Sequence, residues 1–419
     1  MPDRASTFGS VRPNLNPTYS SARPSLPPAR GHAQPRSFGL LGTYPPTQCG
    51  IATFTQALLR SIAAAAPDGR VGVVRVLDGP QGREGPEVAG HLRTDLSGTH
   101  TPAASALNSF DVAIVQHEYG IYGGPDGDQV LAVLDQLRVP VLTVTHTVLA
   151  HPTPRQESVL RQVIDASDAV VAMTDAARDR LIDRYGVDSA RVAVIRHGAS
   201  ARLDPLRTLP RTDPFSVPAP HSPLILTWGL LGPGKGIEWA IDALPLLRGV
   251  SPLPGYVVAG QTHPRVRQQQ GEAYRDQLRQ RAAEAGVADM LRFEDSYLDD
   301  DALTRLIRRA DVVLLPYDSP EQVTSGVLVE AIAAGKPVVA TAFPHAVELC
   351  ATGAGIVVAH GDSAALGEAL HGVLTAPGLA YRMRAEAARI APSLRWSAVA
   401  DQYRALTAGL LAEPNTLYG

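Results

Sequence analysis

Residues 312–344, VVLLPYDSPEQVTSGVLVEAIAAGKPVVATAFP, contain two short apolar segments that are rich in β-branched side chains. The first covers residues 312–316 and the second covers residues 337–342. Uninterrupted apolar segments of this length are typical of strands in a parallel sheet that is covered on both faces. The stretch therefore predicts a strand, a connecting helix and a second strand parallel to the first.

The segment between these two strands carries start and stop signals for a helix. Thr324, Ser325 and Gly326 lie at its start, and Gly335 lies at its end. Serine and threonine are preferred N-caps, whereas glycine commonly ends a helix. The helix start falls at the carboxyl end of a strand, where open α/β sheets bind ligands, and its unpaired N–H groups favour an anion. We therefore predict that a phosphate-bearing ligand binds there.

Outward from this unit, the chain divides into five parts. A Pro-, Ser- and Arg-rich tail is expected to be disordered, and a proline-dense stretch without periodicity is expected to be a linker. On each side of the linker, six apolar segments alternate with helical ones, which predicts two doubly wound α/β domains with a cleft between them. The parts are the tail at residues 1–36, the N-terminal domain at 37–205, the linker at 206–222, the C-terminal domain at 223–394 and a helix packing across the hinge at 395–412.

The overall composition excludes several classes of protein. The 419-residue chain has 45% hydrophobic residues and a formal net charge of -3, so it can form two cores and presents no polybasic face for nucleic acid. Its two cysteines, Cys49 and Cys350, are far apart, which argues against a disulfide framework or a structural zinc site. No apolar stretch reaches the roughly 20 residues of a membrane-spanning helix. A cytoplasmic location is expected.

A second anion-binding candidate is the glycine-rich loop GLLGPGKG at residues 229–236. Its glycines let the main chain approach a ligand, and Lys235 supplies a positive charge. The pattern comes close to a Walker A loop, but Gly236 stands where that loop needs Ser or Thr to hold magnesium, so a P-loop nucleotidase is disfavoured. A glycine turn with a solvated lysine is the simpler alternative. Two candidate loops in one sheet favour the binding role.

The N-terminal half offers polar groups at the corresponding sheet edge. The loop at residues 48–53 follows the first strand, and two later strands end on His117 and His146. Either histidine alone would be interpreted as a structural residue, but two histidines on the same edge of the sheet favour a ligand-binding site. His146 and His151 lack a third obvious metal ligand, and the acidic triplet at residues 126–128 precedes a helix as an N-cap would. We predict no metal site.

Taken in order, several motifs resemble those of the retaining, nucleotide-sugar-dependent glycosyltransferases of family 4. The likeness extends over residues 38–410 and rests on YPPTQCGIATFT, VIRHG, GLLGPGKGIE, AGQTHP, GEAYR and QVTSGVLVEAIAAGKPVVAT. The resemblance implies the α/β GT-B fold, in which two Rossmann-like domains face each other. It also implies hexosyl transfer from a donor of the GDP-mannose or UDP-glucose type, with no metal or other cofactor.

The same resemblance assigns roles to particular residues. Lys235 would bind the donor diphosphate, Glu330 would bind the ribose hydroxyls of the donor, and His146 would lie beside the transferred sugar. These three form the predicted catalytic set. The other predicted donor-binding residues are Gln48, Gly50, Leu230, Gly234, Gln322, Thr324, Ser325, Gly326 and Val327, with the main-chain N–H groups of Ser325 and Gly326 directed at the diphosphate. The predicted acceptor-binding residues are His117, Glu118 and Tyr119.

Two positions depart from the family pattern. Leu230 stands where the family usually has an arginine five residues before Lys235, so one cationic contact to the diphosphate is missing. The family pattern also has two glutamates separated by seven residues. The second glutamate corresponds to Glu330. Gln322 stands at the position of the first, and Glu321 lies one position out of register. Because the remaining residues are retained together, these changes favour a subgroup that holds its donor differently over a protein that has lost activity.

Three functions stay open from the sequence. A glycosyltransferase acting on a carbohydrate or lipid-linked acceptor is favoured, with peripheral membrane contact if the acceptor is a lipid. The second possible function is a sugar phosphorylase or a nucleotide-sugar epimerase on the same fold. A non-catalytic nucleotide-sugar-binding module, motivated by Leu230 and Gln322, is the third. The acceptor, the linkage and the oligomeric state are not predicted.

Overall fold

The computed structural model describes residues 35–80, 84–204, 222–296 and 298–412. The predicted tail at residues 1–36 and the predicted linker at 206–222 therefore lie almost entirely outside the described residues. Within these ranges the chain forms two parallel β-sheets flanked by helices. None of the helices in these ranges combines the length and the apolarity needed to cross a lipid bilayer.

Seven parallel strands form the N-terminal sheet. Their bounds are β1 Ser37–Gly42, β2 Arg70–Leu77, β3 Val88–Arg93, β4 Val112–His117, β5 Val141–Thr145, β6 Ala169–Ala172 and β7 Val192–Val194. Their order across the sheet is β3-β2-β1-β4-β5-β6-β7. Six of the seven coincide with apolar segments of the sequence, whereas the edge strand β3 was not predicted.

Five helices connect these strands. They are α1 Gly50–Ala65, α2 His100–Leu107, α3 Leu131–Leu134, α4 Pro154–Asp165 and α5 Asp175–Asp183. The start of α4 illustrates how the local sequence fixes a helix. Thr153 Oγ1 accepts a hydrogen bond from the Gln156 N–H, while the Gln156 side chain accepts one from the Thr153 N–H. This reciprocal capping box satisfies two N–H groups that the helix itself leaves unpaired.

Six parallel strands form the C-terminal sheet. Their bounds are β8 Leu224–Trp228, β9 Gly255–Ala259, β10 Leu291–Glu294, β11 Val312–Leu315, β12 Val338–Thr341 and β13 Gly355–Val358. Their order is β10-β9-β8-β11-β12-β13. Val313 of β11 lies opposite Val338 of β12 in parallel register, which confirms the strand, helix and strand unit predicted from residues 312–344.

Eight helices cover this second sheet. They are α6 Ile237–Ala243, α7 Pro264–Gln270, α8 Ala273–Glu284, α9 Asp300–Arg309, α10 Gly326–Ala333, α11 Pro344–Cys350, α12 Ser363–Thr375 and α13 Leu379–Ile390. Ser325 is the N-cap of α10, and Gly335 follows its end with a φ of 67°. The start and stop signals in the sequence therefore place α10 correctly.

The last helix, α14 Trp396–Ala412, returns from the C-terminal domain to the N-terminal domain. Its buried residues Val399 and Tyr403 share a hydrophobic cluster with Phe54 of α1. The Trp396 ring meets the Phe54 ring edge-on, with 5.0 Å between centroids. The core of the N-terminal domain thus includes residues from the end of the chain.

Candidate functional site

Loops at the carboxyl ends of the two sheets meet across a cleft between the domains. Gln261 Nε2, after β9, donates to Gln48 Oε1, after β1, at 2.6 Å. Arg265 Nη2, in α7, donates to the carbonyl oxygen of Gly120, after β4, at 2.7 Å. Because both contacts join segments that follow the carboxyl ends of strands, the ligand-binding edges of the two sheets face each other.

The glycine-rich loop of the C-terminal domain lies beside the start of α10. Gly229, Gly234 and Gly236 have φ values of 118°, 87° and 63°, a region that favours glycine. The Asp318 N–H donates to the Gly234 carbonyl at 3.0 Å, which fastens this loop to the loop before α10. A Cβ placed on Gly229 would lie 3.8 Å from Val327 Cγ2. The two predicted anion-binding segments are therefore neighbours.

Lys235 extends from the glycine-rich loop over an aromatic ring. Its Nζ lies 4.5 Å from the centroid of the buried Tyr317 ring, a distance suited to a cation–π contact. The lysine side chain is half-buried. A cation–π contact orients the ammonium group without removing its charge, so Lys235 can still attract an anionic ligand.

Part of the hydrogen-bonding capacity at the start of α10 is already used. Ser325 Oγ accepts from the Leu328 N–H at 3.2 Å, and the Ser325 N–H donates to Nδ1 of the buried His345 at 2.9 Å. The prediction that the Ser325 N–H faces a diphosphate is therefore wrong for this conformation, because His345 lies against the helix start. Among the described residues, the N–H groups of Gly326 and Val327 have no paired acceptor, so they remain for an anion.

Glu330 lies on α10 and is half-buried as a residue. Trp228 Nε1, at the end of β8, donates to Glu330 Oε2 at 3.1 Å. Burial raises the pKa of Glu330 to about 7, and the hydrogen bond from Trp228 opposes the rise. A carboxylate that is costly to ionise gains from additional hydrogen-bond donors, and two neighbouring ribose hydroxyls could provide them.

His146 follows β5 and is held by a side chain of the neighbouring strand β4. Its Nε2 lies 2.7 Å from Oε1 of Gln116, which is fully buried. Burial, with the nearby His197 and His117, lowers the pKa of His146 to about 3. The imidazole is therefore neutral at physiological pH. With Oε1 as the acceptor, Nε2 carries the proton and Nδ1 remains free to accept a hydrogen bond.

The predicted acceptor-side residues differ in exposure. His117 is only 1% exposed, and burial lowers its pKa to about 4. Glu118 and Tyr119 are half-buried, and the Thr147 hydroxyl donates to the Glu118 carboxylate. His117 ends a strand whose side chains are buried on both faces, so its ring is closed off from the cleft in this conformation, and its contact with an acceptor stays a prediction.

The two positions that depart from the family pattern belong to tightly bonded loops. Gln322 Nε2 donates to the Thr324 carbonyl at 3.0 Å, within the loop before α10. Leu230 is half-buried in a turn whose next residue, Leu231, donates its N–H to the Gln261 carbonyl at 2.9 Å. Neither position brings a charge to the cleft.

The acidic triplet at residues 126–128 forms a turn, and the expected N-cap is wrong. Asp126 has a φ of 54° inside the 3-10 segment Pro125–Val130, so its backbone does not have the extended form of an N-cap. Asp128 pairs with Arg155 at 2.5 Å. Across the described ranges, no three His, Cys, Asp or Glu side chains are grouped to hold a metal ion.

The side chains near these groups that were not predicted from the sequence include Trp228, His345, Tyr317, Gln116 and His197. A Cβ placed on Gly326 would lie 2.9 Å from His197 Nε2, so this N-terminal-domain side chain touches the start of α10. His197 belongs to the VIRHG motif, and its position after an apolar segment was the sequence feature that could have identified it as a site residue. Gln116 and Tyr317 also follow or end apolar segments, but neither residue type is specific for a site.

Two family models match the chain. Residues 61–202 match the model described as Glycosyltransferase Family 4. Residues 222–376 match the model described as Glycosyl transferases group 1. The matches fall on the two domains and leave out the stretch between them.

Curated relatives match over part of their length. Glycogen synthase of Mycobacterium tuberculosis is 30% identical over 241 residues, which are 57% of this chain and 53% of the relative. D-inositol 3-phosphate glycosyltransferase of Streptomyces griseus is 31% identical over 272 residues, covering 58% of this chain and 55% of the relative. The chain thus spans about half the length of the curated relatives it matches.

Solved structures share the architecture. HepE from Anabaena, crystallised with UDP and glucose, aligns with a TM-score of 0.67 at 18% identity, over 89% of this chain and all of that one. Sucrose-phosphate synthase from Thermosynechococcus elongatus aligns with a TM-score of 0.70 at 17% identity, over 90% and 99% of the two chains. This likeness confirms the GT-B fold predicted from the sequence. Matched in both domains, the chain belongs to the group 1, family 4 glycosyltransferases.

Proposed function

We propose that this protein transfers a hexosyl group, with retention, from a nucleoside diphosphate sugar to a carbohydrate or lipid-linked acceptor. The observation that carries the proposal is that the glycine-rich loop bearing Lys235 lies beside the start of α10. The ammonium group lies over Tyr317, and a Cβ placed on Gly229 of the same loop would lie 3.8 Å from Val327 Cγ2. A positive charge beside unpaired main-chain N–H groups suits a diphosphate. The UDP and glucose bound to HepE support a donor of this class, which includes UDP-glucose and GDP-mannose.

In the proposed reaction, the bond between the anomeric carbon and the diphosphate breaks while an acceptor hydroxyl attacks from the same face. Lys235 and the N–H groups of Gly326 and Val327 stabilise the charge on the leaving diphosphate, which takes up the acceptor proton. Glu330 accepts hydrogen bonds from the ribose hydroxyls and fixes the nucleotide. The neutral His146 hydrogen-bonds the transferred sugar.

Contact between the domains would protect the donor from hydrolysis. The Gln48 to Gln261 and Gly120 to Arg265 hydrogen bonds join the two edges of the cleft. A cleft closed in this way excludes water and strengthens the electrostatic interactions inside it. The proposed reaction therefore takes place in the docked arrangement of the domains.

A nucleotide panel tests the proposed function. Thermal unfolding is measured with GDP, UDP and ADP and with their hexose conjugates, and the stabilising donor is then incubated with candidate acceptors. We expect one base to raise the Tm and its conjugate to be consumed with release of the nucleoside diphosphate. The anomeric configuration of the product, read by NMR, tests retention.

Other results of the same panel would favour the alternatives. Formation of hexose phosphate from free phosphate would indicate a phosphorylase, and conversion of the donor sugar without an acceptor would indicate an epimerase. Binding without any turnover would indicate a binding module. An unchanged Tm with every nucleotide would refute the proposed donor site.

Donor affinity is expected to rise with pH as Glu330 ionises. Burial raises the pKa of this carboxyl to about 7, and only the ionised form accepts hydrogen bonds from both ribose hydroxyls. Protonation should therefore weaken binding by up to about tenfold for each pH unit below the pKa. Calorimetry between acidic and mildly alkaline pH measures this, with the intact nucleotide sugar as ligand because its diphosphate does not titrate near neutrality.

The matched variant for this pH prediction is Glu330→Gln, which keeps the side-chain size and removes the titration. Its donor affinity should be lower than that of the parent at alkaline pH and nearly constant with pH. In the unliganded parent, the contribution of Glu330 to stability changes with pH in the opposite direction to donor affinity. Since the folded state holds the Glu330 proton more tightly than the unfolded chain, the contribution of Glu330 to the free energy of unfolding falls as pH rises toward its folded pKa. A full pH dependence of binding in Glu330→Gln would contradict the assignment.

A further inference from the structure

The loop before α10 is docked onto the opposite domain. Val323 is only 2% exposed, and it shares a hydrophobic cluster with Val148, Leu160 and Tyr185 of the N-terminal domain. This apolar side chain of the C-terminal domain is therefore buried by residues of its partner domain. Its burial depends on the domains being in contact.

Glu321, two residues earlier, is bound by the same partner domain. The Ala150 N–H donates to Glu321 Oε2 at 2.8 Å, and Arg180 Nη1 of α5 lies 3.1 Å from the same oxygen. Arg180 Nη1 also donates to the carbonyl oxygens of Val148, at 2.8 Å, and of Glu321 itself, at 3.3 Å. Both the side chain and the main chain of Glu321 are thus held.

The order of residues in this loop explains how docking and donor binding coexist. Glu321 and Val323 both contact the N-terminal domain, whereas the intervening Gln322 donates to the carbonyl of Thr324. Ser325 then caps α10. Displacing a glutamate by one position from the family register therefore moves its charge from the donor side of the loop to the interdomain side.

We propose that Glu321 is a positioning residue, which holds residues 322–326 in their donor-binding arrangement by fastening this segment to the acceptor-side domain. The inference rests on the proposed function, because that function assigns the donor to this segment. It implies that the donor site is complete only when the domains are docked. Loss of the contact should weaken donor binding and admit water to the cleft.

The test compares two carboxylates that join the same domains. Glu321→Ala removes the proposed fastening. Glu348→Ala is the matched control, because Glu348 Oε2 accepts from the Asp175 N–H at 2.8 Å and its Oε1 pairs with Arg196 at 2.7 Å, yet it lies on α11 outside the donor segment. Donor KM, kcat and the ratio of donor hydrolysis to transfer are measured for both.

We expect Glu321→Ala to raise the donor KM by about tenfold and to raise the ratio of hydrolysis to transfer, while Glu348→Ala changes neither quantity to that extent. Glu321→Gln keeps an acceptor for the Ala150 N–H but loses the charge that pairs with Arg180, so its effect should be intermediate. This variant also separates loss of the fastening from a general folding defect. Equal KM values and equal hydrolysis ratios for parent, Glu321→Ala and Glu348→Ala would overturn the inference.

A readout that needs no donor distinguishes this inference from the proposed function. Hydrogen exchange of the peptide containing residues 322–327 in the unliganded protein should be faster in Glu321→Ala than in the parent and unchanged in Glu348→Ala. If exchange changes in this way and the parent turns over no donor, the positioning role of Glu321 is supported and the proposed function is refuted. Unchanged exchange in Glu321→Ala, with an active parent, would refute the fastening alone.

Discussion

Lys235→Ala is expected to lower hexosyl transfer by about 100-fold or more, in the range found when one group that stabilises a developing negative charge is removed. Lys235 is held over the Tyr317 ring beside the glycine-rich loop, and Leu230 supplies no second cation in that loop. The loss should fall on kcat as well as on donor KM, because the charge on the diphosphate grows as the glycosidic bond breaks. Steady-state kinetics with a saturating acceptor measures both constants.

The scarcity of lysine provides a direct check on this role. The sequence contains two lysines, Lys235 and Lys336. Lys336 is engaged elsewhere, since its Nζ donates to the carbonyls of Arg308 at 2.6 Å and Ala310 at 2.8 Å. After isotopic methylation of the amines, NMR should show the Lys235 signal shifting with nucleotide and the Lys336 signal unchanged. Lys235→Arg, which keeps the charge, should retain more activity than the alanine variant; equal turnover by Lys235→Ala and the parent would refute the role.

Gly236→Ala is expected to be the most damaging single-methyl change in the glycine-rich loop. Gly236 has a φ of 63°, and an added Cβ would lie 1.8 Å from the carbonyl oxygen of Pro316, a main-chain atom that cannot swing aside. The positive φ alone costs about 1–2 kcal/mol for a residue with a Cβ, and the clash should bring the total to roughly 3–5 kcal/mol. Denaturant unfolding measures the loss, and donor binding should fall with it because Lys235 is the adjacent residue.

Gly234→Ala is the control for this effect. Gly234 also has a positive φ, of 87°, but a Cβ there would meet no atom within 4 Å. Its free energy of unfolding should therefore fall only by the conformational cost of about 1–2 kcal/mol. Equal losses in the two variants would show that the loop moves away from Pro316 and that the clash is not decisive.

The fold was largely predictable because its strands are buried on both faces. Segments such as β8, LILTW, and β11, VVLL, are almost wholly apolar and were recognised directly. The edge strand β3 was missed for the opposite reason. Its sequence VAGHLR is half exposed and mixes a glycine, a histidine and an arginine, so neither apolar continuity nor strict alternation marks it.

The candidate site was less predictable, because its details depend on contacts between distant parts of the chain. No local pattern shows that His345 accepts from the Ser325 N–H, or that the Gln116 side chain lies against His146. The burial of His117 follows from its strand being covered on both faces, which a motif position does not reveal. Sequence spacing therefore identified the loops that form the cleft, whereas the direction of individual donors required the packed structure.

The return of α14 has a consequence for how the protein is made. Tyr403 and Val399 complete a cluster that also contains Phe54, so a nascent chain cannot finish its first domain when that domain leaves the ribosome. Ala199 and Trp396 are joined by a main-chain hydrogen bond of 3.1 Å, which ties the end of that domain to a residue synthesised almost two hundred positions later. A fragment ending in the interdomain stretch would expose an unfilled apolar surface, so the two halves should need co-expression, with the helix supplied in trans, to give a soluble first domain.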